Sequence, residues 1–192
     1  MLKKIITLLL IIIIAINLGI FSGCRATLSL EETETQKTEV NQVIKTEDNE
    51  RKRDQEEFMV LCGELNALFE KYSEDINTLR NKSIDTKDSN KRLAYEELIL
   101  EKYESWYDDF TKIYAPSIAE EAYNYYLSFL SKQILAEEES IKTDEIIAKG
   151  DTDNIDRAYE YLDKSNEYSK EADIEFQKFI KEMERIKKEL SL

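Results

Sequence analysis

Beyond residue 23 this chain holds only two glycines, Gly63 and Gly150, and a single proline, Pro116. Tight reversals depend on such residues, because glycine reaches positive φ without steric cost and proline presets the φ of a turn. With so few, the chain cannot make the many reversals of an all-β fold, and long helices remain. The expected class is all-α: a long-helix antiparallel bundle with coiled-coil-like packing.

The apolar pattern agrees. Phe58, Leu61, Leu65, Leu68, Tyr72, Ile76 and Leu79 recur at steps of three and four, with Cys62 and Phe69 widening the stripe. Residues 83–88 read as a break, with Asp85 or Thr86 as N-cap of the next helix. Tyr95, Ile99, Tyr103, Trp106, Phe110 and Ile113 form a second stripe, which should end at Ala115 because Pro116 disfavours helix in the residue before it. Proline suits a first helical turn, so the join is short. The chain either reverses there, giving four helices, or only kinks, giving three. Tyr123, Leu127, Leu130, Ile134 and Ile141 supply a third stripe, interrupted by Glu137-Glu138-Glu139. Gly150 fits a helix stop, and residues 151–154 offer caps for the last helix. That helix carries two interleaved series at steps of seven, one from Ile155 to Leu190 and one from Ala158 to Ile186. Its first half is small and polar at the seam (Ser165, Ser169, Ala172), which lets a neighbour approach closely.

Upstream, Lys3-Lys4 precedes a run from Ile5 to Ile16 rich in Ile and Leu, and Asn17, Gly19 and Ser22 dilute its end. This is the n-region, h-region and small-residue order of a secretory signal. The next residues, Phe21-Ser22-Gly23-Cys24, resemble the lipobox of bacterial lipoproteins, with Phe21 standing where Leu is usual. The resemblance covers residues 1–24 and implies diacylglycerol transfer to Cys24 and cleavage before it. Two or three acyl chains give stable anchoring at about 0.8 kcal/mol per buried CH₂, where one gives marginal binding. The competing reading, an uncleaved signal anchor, fits less well, since 17 residues from Ile5 to Phe21 is the lower limit for a spanning helix. Residues 24–50 then read as the lipidated cysteine and an acidic tether, polar and without sustained periodicity. As a flexible coil such a segment spans roughly 30 Å. Residues 51–192 are the helical domain, which in a general way resembles small helical lipoproteins of Gram-positive bacteria.

Charge and residue types restrict the chemistry. The net charge is −14, and −16 without residues 1–23, whose only charges are Lys3 and Lys4. Such a surface repels phosphate backbones, so nucleic acid is not an expected partner. Histidine is absent, which removes the commonest general base and metal ligand. With Cys24 lipidated, no intramolecular disulfide can form. Asp151, Asp153, Asn154 and Asp156 fail the EF-hand spacing, because Ile155, Asp156 and Leu162 fall at its fifth, sixth and twelfth positions. The paired carboxylates Glu96-Glu97, Asp108-Asp109, Glu120-Glu121 and Glu137-Glu138-Glu139 read as solvated helix faces, since bundle di-iron sites need Glu-x-x-His pairs. No metal or cofactor is expected. Cys62 reads as a small buried hydrophobe, and Gly63 as the site of a close helix contact.

The aromatic residues are the remaining candidate. Ten crowd the second and third helices between Tyr95 and Phe129, and the adjacent Tyr125 and Tyr126 cannot both face one core. Most should fill the core, with some lining a binding surface, for which Trp106, Tyr107, Tyr125 and Tyr126 are the candidates. The leading functional expectation is a non-enzymatic lipoprotein on the outer side of a cell membrane, tethered by Cys24 and binding an envelope or surface protein. The alternative is a small-ligand or cell-wall-glycan binder, or an atypical hydrolase using paired carboxylates. Spare coiled-coil seams would also allow homo-oligomers.

Overall fold

The computed structural model describes residues 40–192, with side chains from residue 49. Phe21, Ser22, Gly23 and Cys24, and the tether as far as residue 39, lie outside them. Among the described residues there are four α-helices and no strands: α1 (Val40–Asp85), α2 (Ser89–Phe110), α3 (Glu120–Ala148) and α4 (Ile155–Leu190). Short 3-10 turns at Ser117–Ala119 and Thr152–Asn154 precede α3 and α4.

The helix starts at Val40, inside the segment expected to be tether. Extending an existing helix fixes one residue per hydrogen bond gained, whereas nucleation fixes several for one. The Glu-, Arg- and Lys-rich residues 49–57 therefore continue the helix although none of them is fully buried.

The helices alternate in direction. Ser83 of α1 bonds Glu96 of α2, while Tyr72 donates to Asp109 near the other end of α2 at 2.6 Å. Phe110 stacks on Tyr123 and Tyr126 at the start of α3, while Arg92 reaches Asp144 near its end. The chain therefore reverses at Pro116 and the helix count is four. Helix α2 stops at Phe110, earlier than the proline required, and residues 111–119 cross the end of the bundle with Pro116 and Ala119 buried. Thr143 of α3 donates to the Ala158 carbonyl of α4 at 3.2 Å, and Lys132 pairs with Glu171 further along. Helix α4 returns to α1 only at its C-terminal end, where Gln55 donates to the Leu190 carbonyl at 2.6 Å.

The helix ends follow local chemistry. The carboxylate of Asp88, rather than Asp85 or Thr86, accepts from the Asn90 and Lys91 amides, because α1 runs on through Asp85. Gly150 takes φ +63° beyond α3 as the sequence predicts. Asn154 occupies the N-cap position of α4 but makes no side-chain cap. Its amide donates to Asp151 instead, at 2.7 Å.

One apolar core runs through the bundle, from Phe58, Leu61 and Leu65 of α1 to Met183, Ile186 and Leu190 of α4. Ala136, Ala158 and Ala172 are buried outside that cluster, where α3 and α4 approach over small residues. Cys62 is buried in the stripe. Gly63 is not at a close contact: it is exposed, and a Cβ added there meets nothing within 4 Å. Gly63→Ala should therefore raise stability by about 0.5–1 kcal/mol through helix propensity and lost unfolded-state entropy. A shift of the urea midpoint upward at unchanged slope is the expected result. A shift downward would mean that a neighbour closes on this turn.

Candidate functional site

The aromatic candidates divide between interior and surface. Trp106 is 4% exposed and sits between Tyr72 of α1 and Tyr103 of its own helix, with ring centroids 5.7 and 6.3 Å away and near-parallel planes. Phe69 of α1 and Tyr126 of α3 meet it edge-on at 5.9 and 6.2 Å. Tyr126 also packs on Phe179 of α4 at 4.8 Å, and burial pushes its hydroxyl well above the ordinary tyrosine range. Trp106 and Tyr126 therefore belong to the core rather than to a binding surface. Each continues the apolar stripe of its helix, Trp106 one heptad beyond Ile99 and Tyr126 one turn before Leu130.

Tyr107 and Tyr125 lie at the rim, half-buried. The Tyr125 hydroxyl donates to Glu121 at 2.6 Å, and Lys178 of α4 stands over its ring at 5.5 Å. Between them in sequence, on the 111–119 connection, Tyr114 is 70% exposed. At the same corner Asp109 accepts from Lys71, Tyr72 and Lys112, and these partners hold its carboxyl well below the usual carboxylate range.

The opposite end of the bundle holds a cluster that periodicity reasoning passes over. Glu96 of α2 and Glu137 and Asp144 of α3 are buried, as is Ser83 of α1. Arg80 of α1 pairs with Glu137, and the Ser83 hydroxyl donates to Glu96. Arg92 pairs with Asp144 through Nε at 2.9 Å and Nη2 at 2.7 Å. Glu137 also acts electrostatically on Glu96, and Arg80 on Tyr103. Glu96 and Glu137 are thus interior groups, and reading them as solvated faces is wrong. The missed signal is the step of seven: Leu130, Glu137 and Asp144 continue one core position of α3, and Glu96, Tyr103 and Phe110 one of α2. A polar residue on such a series reads as an interruption when only apolar residues are counted.

The electrostatics follow from burial. Desolvation first, and then the charge of Glu137, push Glu96 up to about 7. Arg80 resists its own desolvation because Glu137 and the other acidic groups around it favour the cation, so it stays charged. Desolvation also raises Asp144, against the pull of Arg92. Glu96 therefore titrates close to neutral pH, beside the Arg80–Glu137 pair. Among the described residues no group of three or more cysteines, aspartates or glutamates is placed to hold a metal ion. What the cluster can do chemically is take up and release a proton at Glu96.

A carboxyl whose pKa is raised on folding contributes stability that is full below its unfolded value and is lost as pH rises through the folded value. For Glu96 the window runs from 4.5 to about 7, which at about 1.4 kcal/mol per unit is a loss of about 3 kcal/mol. Urea unfolding of the wild type across that window should show this decline, and Glu96→Gln, which keeps a neutral hydrogen-bonding group, should largely flatten it. Equal slopes in both proteins would place the titration elsewhere.

Compared with known protein families, curated proteins and solved structures, the chain matches none of them.

Proposed function

We propose that the protein is an extracytoplasmic lipoprotein, held to a membrane by lipid on Cys24, whose helical domain is a non-enzymatic module that binds an envelope or surface protein. The observation that carries the binding reading is Tyr114, whose ring is 70% exposed on the connection between α2 and α3. Tyr107 and Tyr125 flank that connection at the ends of the two helices, half-buried and so fixed in place. An aromatic body with a polar tip, presented from a rigid corner, loses little side-chain entropy on binding and suits an interface anchor.

The anchor reading rests on Phe21-Ser22-Gly23-Cys24 after an apolar run. No helix among the described residues is long and apolar enough to cross a membrane. The ligand- or glycan-binding alternative drew on Trp106 and Tyr126, which lie in the core, and so loses its main support. Hydrolysis by paired carboxylates gains nothing from Glu96 and Glu137, which are buried and engaged by Ser83 and by Arg80 respectively.

Two measurements on the full chain in cells test this. Metabolic labelling with a fatty acid should mark the wild type and not Cys24→Ser, which should also leave the membrane fraction. Photo-cross-linking from positions 107, 114 and 125 should capture one dominant protein. Persistent labelling of Cys24→Ser would remove the anchor, and surface display without any protein adduct would remove the partner.

A further inference from the structure

Among the described residues, none with an apolar side chain between Ile76 of α1 and Ile99 of α2 is buried. Residues 77–98 form the tip of the α1–α2 hairpin, and Leu79, Leu93 and Tyr95 there are only half-buried. Polar groups join the tip to the bundle instead. Arg80 pairs with Glu137 of α3 and Arg92 with Asp144 of α3, and within the tip the Ser83 hydroxyl donates to Glu96. Glu96, Glu137 and Asp144 are 8%, 3% and 7% exposed. Three buried carboxylates thus stand against two guanidinium groups. Each guanidinium is taken by a carboxylate of α3, so Glu96 is left with a neutral hydroxyl as its partner.

We propose that Glu96 is a proton latch. With a proton on its carboxyl the hairpin tip lies closed on α3, and loss of that proton releases residues 77–98 as a unit while the aromatic junction around Tyr126 holds the rest of the bundle.

The charged groups that face Glu96 are Arg80 of α1 and Glu137 and Asp144 of α3. On its own helix Arg92 is drawn to Asp144, and α4 brings Asp173 to bear on Tyr103, one heptad further along α2. An ionised Glu96 is therefore a buried carboxylate next to two others, with no cation of its own, and such a group costs free energy until it is paired or hydrated. Little apolar burial opposes turning it out to water, because the first fully buried apolar side chains on either side are Ile76 and Ile99. A carboxyl that is protonated when closed and ionised when open favours opening as pH rises. The window runs from the ordinary value of 4.5 to about 7, above which the effect levels off. Burial of Glu96 in a rigid bundle would weaken all four helices alike; a latch confines the response to the tip. Nothing in this depends on lipid at Cys24 or on the partner of Tyr114, which lies at the other end of the bundle.

Hydrogen exchange of the full chain, read by mass spectrometry and corrected for intrinsic exchange, tests the latch. Between pH 5 and pH 8 protection within residues 77–98 should fall on the order of 30-fold or more, while residues 58–72 and 176–190 change little. Glu96→Gln should keep the tip closed at every pH. Glu137→Gln, which leaves two carboxylates for two guanidinium groups, should let Arg80 serve Glu96 and move the response to lower pH. The contrast between segments is read on the wild type, so it decides even where a variant fails to fold. Equal changes in all segments, or a tip whose protection ignores pH, overturn the proposal. So does a response that persists in Glu96→Gln or stays unmoved in Glu137→Gln.

Discussion

Tyr126 is the point at which the helices are tied together. Its ring packs on Trp106 and Phe110 of α2, on Phe129 of its own helix, and on Phe176 and Phe179 of α4. Through Trp106 the contact continues to Phe69 and Tyr72 of α1. Long helices with short connections hold position chiefly through side chains that meet across their apolar stripes. Aromatic rings suit the junction because each buries about 150–250 Å² and prefers edge-on or offset contacts, which fix the helices in rotation as well as distance.

From this junction the bundle differs towards its two ends. Towards Leu190 the contacts are apolar: Phe58, Leu61, Met183 and Ile186 are almost fully buried. Towards the α1–α2 turn the core positions are filled by Ser83, Glu96, Glu137 and Asp144, with Arg80 and Arg92 reaching in. An apolar interface tolerates small slips, because burial is non-directional. A buried ion pair does not, because a slipped register strands an unpaired charge, a loss of about 3–5 kcal/mol where one partner is removed. The apolar end supplies most of the driving force, and the polar end fixes which residues of α1, α2 and α3 stand beside one another. Glu96 adds a dependence on pH to the second task alone.

Much of this was legible in the sequence. The stripe of α1, that of α2 as far as Phe110, the stop at Gly150 and the C-terminal half of the series of seven along α4 appear where counting places them, because helical periodicity is a property of the backbone; Ile113 falls beyond the end of α2, and Ile155 and Leu162 are exposed. The reversal at Pro116 was not, because the proline fixes only its own surroundings and its neighbour's conformation, whereas the return of α3 is set by Phe110 stacking on Tyr123 and Tyr126. Nor could residue type place Trp106 and Tyr126. An amphipathic ring serves a core or a surface equally well, and only partners on other helices decide between them. Glu137 and Asp144 stayed hidden for a related reason: a carboxylate on a stripe is a solvated side chain or half of an ion pair, depending on whether Arg80 and Arg92 face it. Gly63 shows the reverse error, a small residue taken as a sign of contact where no neighbour comes near.

Helix α4 shows most clearly how burial is shared unevenly. Its C-terminal half presents Phe179, Ile180, Met183, Ile186 and Leu190 to the core. Its N-terminal half meets chiefly α3, over Ala158, Ser165, Ser169 and Ala172, and Ile155 and Leu162 on its apolar series are each 41% exposed. Close approach over alanine and serine improves van der Waals contact but removes little apolar area from water, and stabilisation scales roughly with that area. The first five turns of α4 are therefore held by less burial than the rest of the core. Local opening free energies follow such differences in buried contact, which makes this half of the hairpin the segment where added burial changes the balance most. Tyr159 and Ile174 stand on its outer face with their apolar surface unspent.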